Sequence, residues 1–521
     1  MKKIILILTS VLLIICFSAF SASAADVSLF ATSEGEQTEP NEPSEGEPEE
    51  KPDDEALPEY YSSSDLGWTT AVKSQSGDLC WAYSSTASFE SYMLKTGNFY
   101  GYFSTDALDL WGTVHEDGEG WQRNSKEAGY TYISIGNFTS WSGPVTALVD
   151  TVRFGVTGVK YIDSSDRDGI KRCIMDYGAV TANLNYKAPA ASLDRTAYYI
   201  PKQSEGISGH SVSVVGWDDN YSKDNFTGTF VPENNGAWLC KNSWGNNNSI
   251  GGYLWISYED YYLFNDDFLA PSFAISDVHQ IAKNDRIYQN EVDGATYEFQ
   301  YIDEDKLTYF NVFDFSEQGD ILDKVVFETT SKGAKYDVYY VPLDNNEAPT
   351  ADRTLWTKLG SGTADYKGYI CCDFDDLTVK PEKAAIAVEL DTTDTDEKNG
   401  IGVSEWLRDA KKGVMIFKDS CKKGKSFFES SSGIKDLYDY YIIDQGDTNG
   451  GGTFVIKAIT SGRGDVNLDG VEDINDVTLI QQMVAKYNID FSDAQRAIAD
   501  VNGDGVVNIN DATYVQIDLF R

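Results

Sequence analysis

Apolar and polar positions along this chain fall into stretches of different period. Cys80 to Lys95 (CWAYSSTASFESYMLK) has apolar residues at helical spacing and predicts a helix. His210 to Gly216 alternates with period two and predicts a strand, and Gly236 to Lys241 and Gly252 to Tyr258 read as two more. From about Ile275 to Thr460 short strand-like runs recur between Gly, Asp and Asn turns. Examples are TYFNVFDF from Thr308, KVVFETT from Lys324, KYDVYYVPL from Lys335, KAAIAVEL from Lys383 and TFVIKAIT from Thr453. That spacing predicts an all-β sandwich. After Arg463 two acidic loops are each followed by a helical signal, at Val477–Tyr487 and Ala512–Phe520.

The two ends of the pattern change the picture. Lys2 and Lys3 precede an apolar run from Ile4 to Phe20, followed by Ala22-Ser23-Ala24. This predicts a secretory signal peptide over 1–24 and hence an extracellular protein. Cys16 lies after Ile15, where a lipoprotein box needs a small residue, so lipidation is not expected. No later run is long enough to span a membrane. Residues 25–56 include TSEGEQTEPNEPSEGEPEEKPDDE, which is too polar to fold and reads as an acidic linker. It is also too short and polar for a folded inhibitory pro-region. At 521 residues the chain exceeds one core and calls for several domains. A net charge of −41 argues against nucleic acid as a partner.

Six cysteines follow the signal: Cys80, Cys173, Cys240, Cys371, Cys372 and Cys421. This is too sparse for a disulfide framework. Cys371 and Cys372 sit in one strand-like run and should face opposite ways. A thiol attacks a carbonyl only as thiolate, and Cys80 opens a helix whose N-terminal dipole favours an anion. Of three histidines, His115 and His279 read as surface or loop residues, whereas His210 sits in a patterned strand. Asn242, in Lys-Asn-Ser-Trp-Gly, is placed to accept the imidazole N–H and fix its tautomer. Trp244 would cover that bond. Cys173 and Cys240 read as inert core.

These segments carry a resemblance. SQSGDLCWAYS, GHSVSVVGWDD and KNSWGNNNSIGGYLWISY, in that order, resemble the nucleophile, histidine and asparagine segments of papain-type cysteine peptidases. The resemblance covers about residues 57–268 and implies a two-lobed α+β peptidase with Cys80, His210 and Asn242 as catalytic residues. It also implies that Gln75 is the side-chain donor of the oxyanion hole, beside the Cys80 backbone N–H. Between Gln75 and Cys80 the chain has one residue fewer than the family pattern and lacks its loop cysteine. Gly118 and Gly120 fall where the family has a glycine-rich groove wall. Gly209 supplies no charge near a substrate pocket, which disfavours a preference for basic residues. SWSGPVTALVD and IMDYGAV resemble a bacterial branch whose peptidase precedes a lectin-like β domain, here 275–460. That domain either binds glycan or buttresses the peptidase.

The last region, 463–521, repeats itself. Loops begin at Asp465 and Asp500, 35 residues apart. The oxygen ligands expected for calcium are Asp465, Asn467, Asp469, Val471 by its carbonyl, Asp473 and Asp476. In the second loop they are Asp500, Asn502, Asp504, Val506 by its carbonyl, Asn508 and Asp511. The pair resembles a small all-α type I dockerin. The resemblance implies two calcium ions and a cohesin module as partner, contacted by Ile474-Asn475 and Ile509-Asn510, with attachment to a cellulosome. The expected whole is therefore a multi-domain secreted cysteine peptidase acting on protein or peptide substrates, with no cofactor in its peptidase site. The alternative is a catalytically inactive homologue serving as a carbohydrate- or protein-binding module.

Overall fold

The computed structural model describes residues 56–521 except 99–100, 115–119, 147–153, 204–205, 207, 266–269, 282–284, 295–296, 300–304, 316–320, 375–382, 396–399, 406–416, 419–421, 441–451, 462–463, 468–471, 487–490, 502–505 and 520–521. The signal and linker expectations, Cys16, His115, Gly118 and Cys421 thus lie outside the described residues. So do the loop ligands Asp469, Val471, Asn502 and Asp504. Among the described residues no helix is long and apolar enough to cross a membrane.

The first region is built around helix α1 (Cys80–Thr96). Helix α1 ends where Gly97 takes φ 79° and its N–H returns to the Leu94 carbonyl. Trp81, Ala82, Ser85, Ser88, Phe89 and Met93 are buried on several sides of it, as befits a central helix. Helices α2 (Thr105–Trp111) and α3 (Thr131–Thr139) lie on its lobe, and α4 (Arg167–Tyr177) on the other. Strands β1 (Phe154–Tyr161), β2 (Val180–Asn185), β3 (Gly209–Asp218), β4 (Ala237–Lys241), β5 (Tyr253–Ser257) and β6 (Phe273–Gln280) complete this region. The sheet runs β1-β6-β2-β3-β4-β5 and is antiparallel throughout.

The second region is a sandwich. One sheet runs, in order, β10 (Thr357–Thr363), β9 (Lys335–Pro342), β12 (Lys383–Asp391), β7 (Lys306–Asp314), β13 (Ser426–Ser430) and β14 (Gly433–Asp436). Facing it are β8 (Ile321–Thr329), β11 (Gly368–Asp373) and β15 (Ile456–Ser461), with Tyr309, Phe327, Val338, Ile386 and Phe454 buried between the layers. Cys371 and Cys372 do face opposite ways, Cys372 into this core and Cys371 against the core under α1.

The sequence reading treats the two regions as consecutive. The structure joins them. Strand β11 pairs with β1 (Gly368 with Lys160, Tyr369 with Val159), so the facing sheet of the sandwich continues into the peptidase-like sheet. Val326, Tyr369, Val455 and Ile459 belong to the same core as Leu79, Trp81 and Phe89. At Gly136 on α3 a Cβ would fall 2.2 Å from the Asp293 carbonyl oxygen, so two backbones touch there and only glycine fits. His279 is likewise no loop residue. It lies in β6, stacked on Trp141 at 5.4 Å, with Nε2 2.8 Å from Asp285 Oδ2.

The third region packs α5 (Ile474–Val484), α6 (Asp493–Ala499) and α7 (Ile509–Leu519) around Val466, Val477, Ile480, Ile498, Ala512 and Val515. Helix α6 is absent from the sequence reading, although Ser492 and Gln495 form a capping box at its start.

Candidate active site

The site assembles where the start of α1 meets the start of β3 and the end of β4. His210 and Asn242 are buried. His210 Nε2 lies 3.0 Å from Asn242 Oδ1. The same oxygen accepts the Ser243 N–H at 2.8 Å, which identifies it as the amide oxygen. Nε2 must then donate, so a neutral ring leaves Nδ1 as its acceptor. Trp244 stacks on the ring at 4.5 Å and 23°. Tyr186 stands edge-on to both, 4.7 Å from Trp244 and 5.9 Å from His210.

The Cys80 thiol is half-buried and lies against Ser211, the residue after His210. Burial pushes this thiol above its ordinary value, opposed by hydrogen bonds from the Ser211 and Trp81 backbone and the Ser211 side chain. Burial pushes His210 down to about 4, opposed by the bond to Asn242. Each group alone is therefore held neutral at rest. A proton passed from sulfur to Nδ1 would create adjacent opposite charges whose attraction offsets both burial costs.

The depressed His210 value is a stability term. The unfolded imidazole, at its ordinary 6.5, binds a proton that the folded one refuses down to about pH 4. Stability from this group is thus present above pH 6.5 and lost as pH falls towards 4, by at most roughly 3 kcal/mol. In urea unfolding at pH 7 and pH 4.5, the wild type should lose more stability between the two than His210→Gln does. Equal losses would disprove the assignment.

Gln75 is tied at three atoms. Its backbone N–H donates to the Ser243 carbonyl at 2.6 Å, its Oε1 accepts the Ser243 hydroxyl at 2.6 Å, and Nε2 donates to the Gly77 carbonyl at 2.9 Å. One Nε2 hydrogen remains for an oxyanion. The shortened loop closes on Lys126 instead of a disulfide: Asp78 N–H donates to the Lys126 carbonyl at 3.0 Å, and Gly77 holds φ 70° where a Cβ would meet that carbonyl at 2.6 Å. Lys126 itself is held by Asp109, whose carboxylate also binds the buried Arg123 at 2.7 Å. Gly120 is buried in the short strand beside this loop.

Several supporting residues escaped the sequence reading. Lys241 donates to Thr70 Oγ1 at 2.7 Å, Thr70 donates to Glu90 at 2.5 Å, and Glu90 pairs with Lys73 at 2.7 Å. This buried chain ties the strand end before Asn242 to α1 and to the segment before Gln75. Burial lowers Lys241 to about 8. The available signal was Glu90, a lone acid in an otherwise uncharged stretch of α1.

In the terminal region Asp476 is fully buried, with Oδ1 accepting the Val466 and Asn467 N–H groups and Oδ2 that of Asp473. Asp511 is equally buried and accepts the Asn508 N–H, and Asp465 is 4% exposed. Asp473 caps α5. The donor set is all oxygen, which fits a hard cation such as calcium.

Comparison with known proteins bears on this geometry. The papain family cysteine protease profile matches residues 57–266, a lectin-like domain profile 287–460 and a dockerin type I profile 463–519. The crystal structure of the clostridial cysteine protease Cwp84 after propeptide cleavage is 32% identical, covers 77% of this chain and 99% of its own, and superposes with a TM-score of 0.69. The chain belongs to the papain family of cysteine proteases. A second structure, of the cysteine protease and lectin-like domains of Cwp84, a surface layer associated protein of Clostridium difficile, is also 32% identical, covering 77% of this chain and 88% of its own with a TM-score of 0.68. Among curated papain-family relatives, cathepsin S from Bos taurus is 25% identical over 210 residues, 38% of this chain, and procathepsin L from Felis catus is 28% identical over 215, again 38%. The chain spans only 59% and 60% of those relatives' lengths.

Proposed function

We propose that this chain is an exported endopeptidase that hydrolyses peptide bonds through Cys80, His210 and Asn242. The observation that carries this is the doubly engaged Asn242 Oδ1, which leaves His210 Nδ1 as a base beside Ser211, where the thiol lies. The thiol proton passes to Nδ1 and sulfur attacks the carbonyl carbon. The oxyanion is met by the Cys80 N–H and the remaining Gln75 Nε2 hydrogen. The imidazolium protonates the departing amine and a thioester remains. His210 then deprotonates a water, which attacks the thioester, releasing the acid and restoring the thiol. A thiol-directed epoxide should label Cys80 in mass spectrometry, and not the buried Cys173, Cys240 or Cys372. Label at those sites, or none, would remove the assignment.

The dockerin region would tether the enzyme to a cohesin module, and so to a cellulosome, through Ile474 and Ile509, which are 59% and 55% exposed. Two calcium ions would supply what its small core does not. Adding chelator should abolish cohesin binding and melt about 60 C-terminal residues, read by helical circular dichroism. Binding that survives chelation would refute this role.

A further inference from the structure

Tyr186 belongs to two places at once. It is part of the aromatic surround of His210, and it lines a pocket of about 650 Å³ together with Pro189, Leu193, Arg195, Gly228 and Thr229. Its ring is braced from behind by Tyr198, stacked at 5.1 Å and 17°. The position of this pocket relative to the chemistry is set by the proton. His210 must protonate the departing amine, so the peptide downstream of the scissile bond leaves on the imidazole side. The acyl half stays with Cys80 and the oxyanion donors near Gln75. A pocket sharing a wall with the imidazole therefore receives the leaving half.

Arg195 is the cation lining this pocket, and it is exposed. Its neighbour Asp194 is occupied elsewhere: Oδ1 accepts the Ser192 hydroxyl at 2.6 Å, the Thr196 hydroxyl at 2.9 Å and the Thr196 N–H at 3.2 Å. Arg195 also holds φ 59°, left-handed backbone that suits Gly or Asn better than a long side chain. The conformation is enforced. Asn248 Nδ2 donates to the Arg195 carbonyl at 2.9 Å, and the Arg195 N–H donates to the Ser192 carbonyl at 2.9 Å. A turn needing only this backbone would be better served by Asn, so the guanidinium is retained against a conformational cost. In a chain of net charge −41, a fixed cation here is placed to read charge on the leaving peptide.

We infer that this pocket is a specificity site for the leaving half of the substrate, and that Arg195 selects peptides with Asp or Glu within two residues after the scissile bond. This deepens the peptidase reading and rests on it.

The test uses the full chain, quenched peptides identical up to the scissile bond with Glu or Lys after it, and an aminocoumarin amide that has no downstream residues. Wild type should prefer the Glu peptide by about three- to fivefold in kcat/KM, the range of one exposed ion pair. The preference should shrink in concentrated salt. Arg195→Asn should abolish it, leave the aminocoumarin rate unchanged, and melt no lower than wild type, because Asn suits the left-handed backbone. Selectivity that is absent in wild type, or that survives in Arg195→Asn, overturns the inference while aminocoumarin turnover continues. If neither substrate is cleaved, the peptidase reading itself fails and takes this inference with it.

Discussion

Replacing Cys80 by alanine should lower kcat on casein by a factor on the order of 10⁴ to 10⁶, without a comparable change in melting temperature. The size follows from the loss of the covalent path, since no other described thiol is near the imidazole. Cys173, Cys240 and Cys372 are buried in separate packing, and Cys371 lies on β11. The fold should tolerate the change because Cys80 is half-exposed and the core under α1 is carried by Leu79, Trp81 and Phe89. Gln75→Ala should cost less, on the order of 10² to 10³, because the Cys80 N–H remains as a second donor. A Cys80→Ala protein that still clears casein at a few per cent of the wild-type rate would end the nucleophile assignment. A Gln75 variant as inactive as Cys80→Ala would instead show that the Ser243 contact matters for folding the site.

Removing the lectin-like region should leave the peptidase region without a native core. Residues 57–280 alone lose strand β11 from the edge of β1 and four fully or almost fully buried side chains, Val326, Tyr369, Val455 and Ile459. At about 1.5–3 kcal/mol per buried apolar side chain, that is roughly 6–12 kcal/mol. A typical domain has only about 5–15 kcal/mol in total. The fragment should therefore lack near-ultraviolet circular dichroism and a cooperative melt, and should not clear casein. A soluble fragment that melts cooperatively and cleaves substrate would refute this dependence. Tyr369→Ala in the full chain offers a gentler version, at about 3–5 kcal/mol by analogy with other large aromatic truncations.

What was legible in the sequence follows from the range of the interactions. The helix at Cys80 and the strand at His210 were readable because period and neighbours are local signals. The pairing of His210 with Asn242 was readable as a resemblance, through Lys-Asn-Ser-Trp-Gly. The seam between the two large regions was not, because β11 and β1 are more than two hundred residues apart and an alternating strand does not announce which edge it will join. His279 was misplaced for the same reason: its strand is short on apolar residues and is held by β1. The loop after Gln75 was known to be short, but its closure on Lys126 depends on a left-handed Gly77 and a carbonyl fifty residues away. Tyr186 was invisible because nothing in its own segment marks it. Only folding sets it beside Trp244.

The same seam decides how a pull on the anchor would be carried. The dockerin profile begins at 463, two residues past Ser461, the end of β15. That strand is hydrogen-bonded on both flanks, to β8 and to Arg286–Tyr288. Tension from a moving scaffold would thus load a ladder of amides in the middle of a sheet, where many bonds must break together. The cleft between α1 and β3 lies farther along the same sheet, so an enzyme dragged through a flow of particles would keep its chemistry aligned until that ladder gave way.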